Sequence, residues 1–173
     1  MLNYTFSFIG TGAMGSALAA AASRNLLPEY ILLANRTRSK AEQLAERLGC
    51  CVGSVPEAAS SARYMFLVVK PQMMAGLFED IGTILSRRAD RFILVSMAAG
   101  LTMERITELA GRKYPVIRIM PNTPCAIGEG VILYDANEEV SQEELDLFVK
   151  IMSGAGLLDR VEERLIDAGS AVA

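Results

Sequence analysis

The chain has 173 residues, of which 51% are hydrophobic and 21% charged, a composition typical of an ordered globular protein. Its formal net charge of −3 gives no basic surface for nucleic acid or for an anionic membrane. The sequence has no histidine, which excludes a Ser-His-Asp triad and any metal site that needs imidazole. The apolar runs are also too short to span a bilayer.

The three cysteines, Cys50, Cys51 and Cys125, do not have the spacing of a metal site, and adjacent cysteines seldom pair with each other. They are typical of reduced thiols in a cytosolic protein. The N-terminus runs directly into an apolar segment, without a basic region or a cleavage site, so no secretory signal is expected. These features predict a cytoplasmic protein without a bound metal.

Apolar runs alternate with segments of helical periodicity along the chain. The predicted strands are 4–9, 30–34, 50–52, 64–69, 92–96, 116–120, 131–134 and 157–161. The predicted helices are 14–24, 39–48, 73–85, 103–110 and 142–153. Ser141 and Glu144 form a capping box before the last helix, whose acidic residues (Glu143, Glu144, Asp146) are interpreted as a solvated face. The alternation predicts an α/β fold, a doubly wound, mostly parallel Rossmann-type sheet with helices on both faces.

A glycine-rich turn follows the first predicted strand and opens a helix of small residues. The turn has the pattern G-x-G-x-x-G and consists of Gly10, Thr11, Gly12, Ala13, Met14 and Gly15. In this context the first glycine permits the tight turn, the second admits a pyrophosphate, and the third lets helix and strand pack closely. The turn therefore predicts a dinucleotide site, the alternative being a tight turn that binds nothing.

The end of the second strand indicates which dinucleotide binds. An NAD site usually carries an acid here, which accepts hydrogen bonds from the adenine ribose. This chain has Asn35, Arg36, Thr37 and Arg38 instead. A carboxylate would repel the 2′-phosphate of NADP, whereas a guanidinium can grip it. We therefore predict NADP, with NADPH preferred over NADH and Arg36 as the main contact; a solvated loop is the alternative.

The ends of later strands extend the predicted cofactor cleft, because ligands of doubly wound sheets bind outside the carboxyl ends of the strands. The residues at the ends of the fourth and fifth strands complete the set of predicted cofactor contacts: Val69, Lys70, Pro71, Ala98, Ala99 and Gly100. Lys70 presents a cation to the ribose or phosphates. The small side chains after the fifth strand leave room for a flat nicotinamide ring.

Six motifs in order resemble those of pyrroline-5-carboxylate reductase from residue 6 to the end of the chain. They are Gly10-x-Gly12-x-Met14, Asn35-Arg36-Thr37, Val69-Lys70-Pro71-Gln72, Ala98-Ala99-Gly100, Arg118-x-Met120-Pro121-Asn122-Thr123-Pro124 and Glu163-x-x-Ile166-Asp167-Ala168. The resemblance implies an NAD(P)H-dependent enzyme of proline biosynthesis. Hydride would pass from the nicotinamide to the C=N carbon of 1-pyrroline-5-carboxylate, giving L-proline.

The resemblance also implies a division into domains. Residues 1–160 would form the cofactor-binding domain, and 161–173 would begin the helical segment leading to a further domain. In the family that all-helical domain follows a Gly-x-Gly-Pro-Ala loop, forms the homodimer or higher oligomer, and completes the substrate pocket. We therefore expect this chain to be a truncated form, weakly active or inactive alone. Glu163 matches a family glutamate near the substrate, and no catalytic residue is assigned.

Two other functions fit the same sequence. One is a different Rossmann reductase acting on imines or β-hydroxyacids, whose catalytic lysine would lie on a later helix. The other is a stand-alone NADP-binding module without enzymatic activity. The sequence that follows residue 173 in the gene would separate these alternatives.

Overall fold

The structure, a computed structural model, describes residues 3–169, so the small-residue tail 170–173 lies outside the described residues. The strands β1 to β8 are Tyr4–Ile9, Ile31–Ala34, Cys51–Val52, Ala62–Leu67, Ile93–Ser96, Val116–Pro121, Gly130–Ala136 and Gly156–Arg160. The helices α1 to α7 are Ala13–Ala22, Arg38–Leu48, Val55–Ser61, Met74–Arg87, Met103–Leu109, Gln142–Met152 and Glu163–Gly169. None of these helices has the length and hydrophobicity that a membrane span needs.

All eight strands form one sheet in the order β3-β2-β1-β4-β5-β6-β7-β8. The first six run parallel, β7 is antiparallel to β6, and β8 is parallel to β7. The six parallel strands have the order of a dinucleotide-binding Rossmann fold. The predicted doubly wound, mostly parallel α/β sheet is therefore confirmed.

Helices cover both faces of the sheet, because buried strands alternate apolar side chains between two cores. One core packs α1, α2 and α6 around an aromatic group in which the Phe8 and Phe66 rings stack at 4.3 Å. The opposite core packs α3, α4 and α5. There Ser7 is buried, and its hydroxyl donates to the Ala58 carbonyl of α3 at 3.0 Å. The sheet thus sits at the centre of three layers.

The sequence pattern gave no element between the third and fourth strands, where the structure has α3. Ser54 caps this helix by accepting a hydrogen bond from the Glu57 amide, and Pro56 occupies its first turn. Serine followed three residues later by glutamate is a capping signal, and proline is tolerated in the first turn. The signal was therefore in the sequence, in a segment too short for helical periodicity to stand out.

The acidic side of α6 is only partly solvated, so the interpretation of Glu144 as a solvated residue was wrong. Glu144 is 5% exposed, accepts hydrogen bonds from Arg91 and the Ser141 amide, and completes the predicted capping box. The hydrogen bond from Arg91 lowers the pKa of Glu144 to about 2, against the opposing effect of burial. The Tyr64 hydroxyl also donates to the Glu144 carbonyl at 2.7 Å, which anchors α6 to β4.

The charge of Glu144 should stabilise the fold in a pH-dependent way. Its pKa falls from 4.5 to about 2 on folding, so the stabilisation is full above pH 4.5 and is lost as pH falls towards 2. Glu144→Gln should lower the free energy of unfolding at neutral pH by up to about 3.5 kcal/mol, at about 1.4 kcal/mol per pKa unit. Urea denaturation at several pH values measures this difference.

Glu143→Gln on the same helical turn is the matched control, because Glu143 is exposed. Glutamine is also accepted at the capping position, so Glu144→Gln removes the charge and keeps the shape. A stability difference between Glu144→Gln and the parent that stays constant from pH 7 to pH 2.5 would show that the carboxylate charge is not its source.

Candidate functional site

The site lies where β1 and β4 run side by side and their chains leave the sheet in opposite directions. In a doubly wound sheet this switch point opens a crevice at the carboxyl ends of the strands. Gly10 follows β1 with a φ of +115°, and a side chain there would place its Cβ 2.1 Å from the Val68 carbonyl oxygen. The Gly10 amide donates to the Ala34 carbonyl of β2 at 2.8 Å. The predicted tight turn is therefore fixed by both neighbouring strands.

The N-terminus of α1 opens into this crevice without a cap from any side chain and without an acidic residue in its first turn. A helix N-terminus in this condition favours an anion, because its first amides lack partners and its dipole is positive. A Cβ at Gly12 would meet nothing within 4 Å, whereas one at Gly15 would lie 2.3 Å from the Gly10 carbonyl oxygen. Gly10 and Gly15 are thus required by packing, whereas the space beside Gly12 is open, and the predicted pyrophosphate contact there stays a prediction.

Asn35 joins the glycine-rich turn to the loop that follows β2. Its side-chain oxygen accepts from the Thr11 amide at 3.2 Å, and its Nδ2 donates to the Thr37 carbonyl at 3.0 Å. The Thr11 hydroxyl is buried and has no hydrogen-bond partner within residues 3–169. Asn35 therefore holds the two loops together. The predicted contact of Asn35 with the cofactor stays a prediction.

The cationic side chains after β2 differ in what they touch. Arg36 and Thr37 are exposed, and the structure gives Arg36 no hydrogen bond or ion pair with any residue it describes. Arg38, by contrast, pairs with Glu42 at 2.8 Å one helical turn away. The guanidinium of Arg36 is the one at this loop left available for an anionic ligand.

The other predicted cofactor residues lie at neighbouring strand ends. Val69 and Lys70 follow β4, and Pro71 opens a short 3-10 turn, with Lys70 exposed at the start of that turn. Ala98 is buried after β5, and the exposed residues Ala99 and Gly100 complete the segment. Since β1, β4 and β5 are adjacent and parallel, all these residues lie along one edge of the sheet.

Glu163 lies at the start of α7, on the side of the sheet that carries α5. Its Oε1 accepts a hydrogen bond from the Met103 amide at 2.6 Å and lies 3.4 Å from Nη1 of Arg118. Its own amide donates to Asp135 at 2.9 Å. The predicted contact of Glu163 with substrate stays a prediction, and every bond found for its carboxylate falls on one oxygen.

Arg118, which the sequence presented only as part of a motif, is the largest fully buried side chain within residues 3–169. Its Nη2 donates to Asp167 at 2.6 Å, while its Nε has no partner there. Burial alone would raise the pKa of Asp167, but hydrogen bonds from Arg118 and the Gly100 amide outweigh it and lower that pKa. A charged residue inside an apolar strand was the available signal, because buried charges are normally paired.

No group of three or more His, Cys, Asp or Glu side chains within residues 3–169 is arranged to hold a metal ion. The glycine-rich turn, the uncapped helix and the strand order instead define a Rossmann-type dinucleotide-binding domain with the fold of NADP-dependent oxidoreductases. Residues 5–100 match the protein family described as "NADP oxidoreductase coenzyme F420-dependent", and the chain belongs to that family.

Similar proteins agree with the resemblance found in the motifs. A pyrroline-5-carboxylate reductase from Corynebacterium melassecola is 32% identical over 170 residues, which cover 97% of this chain and 63% of that protein. The solved pyrroline-5-carboxylate reductase of Coxiella burnetii has a TM-score of 0.87 at 28% identity, covering 98% of this chain and 63% of the other.

A third relative was solved with its cofactor. The pyrroline carboxylate reductase of Plasmodium falciparum, with NADP bound, has a TM-score of 0.83 at 25% identity and covers 99% of this chain and 63% of its own. This chain thus spans about 63% of the length of these relatives. The comparisons confirm the resemblance.

Gly12→Ser should weaken the binding of NADPH without lowering the stability of the fold. Serine is a preferred N-cap residue and finds free space at this position, so the melting temperature should not fall. Its hydroxyl would occupy the helix amides that a pyrophosphate needs, so the affinity for NADPH should fall at least about tenfold, or about 1.4 kcal/mol. Thermal denaturation and calorimetric titration measure the two effects.

Gly82→Ser in α4 is the matched control, since a Cβ there also meets nothing within 4 Å. It should leave NADPH binding unchanged. Unchanged binding in Gly12→Ser as well would remove the α1 N-terminus from the cofactor site.

Proposed function

We propose that this chain is the NADPH-binding part of a pyrroline-5-carboxylate reductase. The observation that carries the proposal is the pairing of an uncapped α1 N-terminus, open at Gly12, with an unpartnered Arg36 where NAD sites carry an acid. The similarity to three named reductases supports it. The name of the matched family refers to NADP as well.

Different residues of the site would contact different parts of the cofactor. The amides of Gly12, Ala13 and Met14 would receive the pyrophosphate, and Gly10 and Gly15 would keep that turn close to the sheet. Arg36 would grip the 2′-phosphate with its fork of donors, from a loop whose backbone the Asn35 contacts hold beside the glycine-rich turn. Lys70 would offer a second cation near the ribose, and Ala98, Ala99 and Gly100 would lie against the nicotinamide.

A bound reduced nicotinamide supplies the hydride that adds to the C=N carbon of the cyclic imine. The chain's own part in this chemistry is to hold the two reactants in contact and to compensate charge. Within residues 3–169 the second carboxylate oxygen of Glu163 accepts no hydrogen bond, and the side chain is partly exposed, so it can face the cationic imine. The proton donor and the clamp for the substrate carboxylate are assigned to the remaining length of the enzyme.

The proposal includes the context of the full enzyme. Residues 1–160 form its cofactor domain, residues 161–173 lead into a helical domain, and that domain forms a homodimer or higher oligomer. The coverage of 63% of the relatives' length supports this division. The thiols of Cys50, Cys51 and Cys125 are free, which favours a reducing compartment such as the cytoplasm.

Arg36→Ala tests the specificity for NADPH over NADH. The guanidinium has no protein partner to lose among the described residues, so the fold should be unaffected. We expect NADPH binding to weaken by about 1.5–3 kcal/mol, the range of a charge-assisted contact, while NADH binding barely changes. Calorimetric titration of both nucleotides into the purified variant measures the loss of affinity for each of them.

Arg38→Ala is the matched control, because the Arg38 side chain is exposed and already paired with Glu42. It should affect NADPH far less than Arg36→Ala does. Equal losses for NADPH and NADH in Arg36→Ala would place Arg36 away from the 2′-phosphate.

The reaction itself is tested by adding 1-pyrroline-5-carboxylate and NADPH to this chain and, separately, to the complete product of its gene. The complete product should consume NADPH and form L-proline, whereas this chain should bind NADPH with little or no turnover. A complete product that binds NADPH but leaves 1-pyrroline-5-carboxylate unreduced would overturn the proposed substrate and favour another imine reductase or a binding module.

A further inference from the structure

Arg118, Glu163 and Asp167 form a charge cluster between strand β6 and helix α7, here called the Arg118 cluster, in which the arginine is buried and the two carboxylates are partly exposed. The Arg118 side chain is 2% exposed and lies 2.6 Å from Asp167 and 3.4 Å from Glu163. Its two partners are 45 and 49 residues away along the chain. One cation therefore joins both carboxylates of α7 to strand β6.

The same two carboxylates hold the loop between β5 and α5. Asp167 accepts a hydrogen bond from the Gly100 amide at 3.1 Å, and Glu163 accepts one from the Met103 amide at 2.6 Å. Between these points the loop makes a turn in which the Leu101 amide donates to the Ala98 carbonyl, and Gly100 has a φ of +73°. The conformation of 98–102 thus depends on side chains from the far end of the described chain.

We infer that Arg118 is a positioning residue for the nicotinamide side of the cofactor site. Its guanidinium holds the Glu163 and Asp167 carboxylates in place, and these carboxylates hold the backbone of 98–102 through the Gly100 and Met103 amides. The inference rests on the proposed function, since it takes this loop to face the nicotinamide. Neither Arg36 nor the glycine-rich turn takes part in the cluster, so the adenosine half of the site is built independently of it.

The chemistry of the cluster explains why an arginine is needed. Glu163 and Asp167 lie one helical turn apart on α7, and Asp135 adds a third carboxylate beside the Glu163 amide. Without a buried cation the like charges repel, and the acceptors of the loop amides move away from the sheet. The planar guanidinium can donate to two carboxylates at once, which a single ammonium or an apolar side chain does less well.

Two ligands separate this role from a general loss of structure. NADPH spans both halves of the site, whereas adenosine 2′,5′-bisphosphate reproduces only the adenosine half. In Arg118→Met we expect the affinity for NADPH to fall about tenfold, because a disordered loop must be ordered on binding. The affinity for adenosine 2′,5′-bisphosphate should stay unchanged. Arg118→Lys, which keeps the charge, should restore part of the NADPH affinity.

Arg88→Met is the matched control for the loss of a buried arginine. The Arg88 side chain is 4% exposed, pairs with Asp90, and holds the carbonyls of Ala59 and Ala62 at the opposite end of the sheet. Arg88→Met should not weaken the binding of NADPH more than the binding of adenosine 2′,5′-bisphosphate. If Arg118→Met does not fold, Asp167→Asn takes its place, because the Asp167 side chain is 47% exposed and asparagine removes the charge that the Arg118 guanidinium holds beside the Gly100 amide.

The outcomes distinguish this inference from the proposed function. A parent chain that binds neither NADPH nor adenosine 2′,5′-bisphosphate overturns the proposed function. A parent that binds both, with an Arg118 variant or Asp167→Asn that weakens both equally or neither, overturns the positioning role alone. Selective loss of NADPH affinity with partial rescue by lysine supports it.

Discussion

The close approach between Gly10 and the Val68 carbonyl is the constraint on which the site depends. It exists because β1 lies between β2 and β4, so the turn after β1 must pass directly over the end of β4. A side chain at position 10 has no space there, and the positive φ would be strained in any residue with a Cβ. This contact turns the chain so sharply that α1 begins at the mouth of the crevice with its amides facing outward.

Two groups of contacts in and around the candidate site differ in kind. The first is local, since the glycine-rich turn, Asn35 and Arg36 all belong to the first two strand–helix units. Its order comes from backbone hydrogen bonds and from one amide side chain. The Arg118 cluster joins residues that are distant along the chain, since its members come from β6 and α7. Its contacts with the 98–102 loop therefore depend on how α7 packs against the sheet.

The features that were predicted correctly from the sequence are those that depend on residues close together in the chain. Apolar runs and glycines gave the sheet, the glycine-rich turn and the order of the elements, because buried parallel strands and tight turns restrict residue type strongly. Strand ends shifted by one or two residues, as for β4, because apolar residues continue into the turn. The short helix α3 was missed, although Ser54 and Glu57 carried its capping signal.

Pairings between distant residues could not be predicted in this way. Glu144 had the pattern of a solvated face, and only the fold brings Arg91, 53 residues away, against it. Arg118 likewise interrupts an apolar strand without any local sign of which acids neutralise it. A charge in a buried strand predicts that a partner exists, but the identity of the partner depends on where later helices pack.

The Arg91–Glu144 and Arg118–Asp167 ion pairs each join one buried side chain to a partly exposed one, and they differ in what else the carboxylate holds. Glu144 joins α6 to Arg91, and its other hydrogen bond returns to Ser141 at the start of its own helix. Asp167 joins α7 to Arg118, and it also accepts from the Gly100 amide in the segment that follows β5. The two carboxylates therefore differ in their second hydrogen bond, which stays within one helix for Glu144 and reaches a separate loop for Asp167. On the inference drawn above, this second bond is what would link the charge of Arg118 to the geometry of the proposed cofactor site.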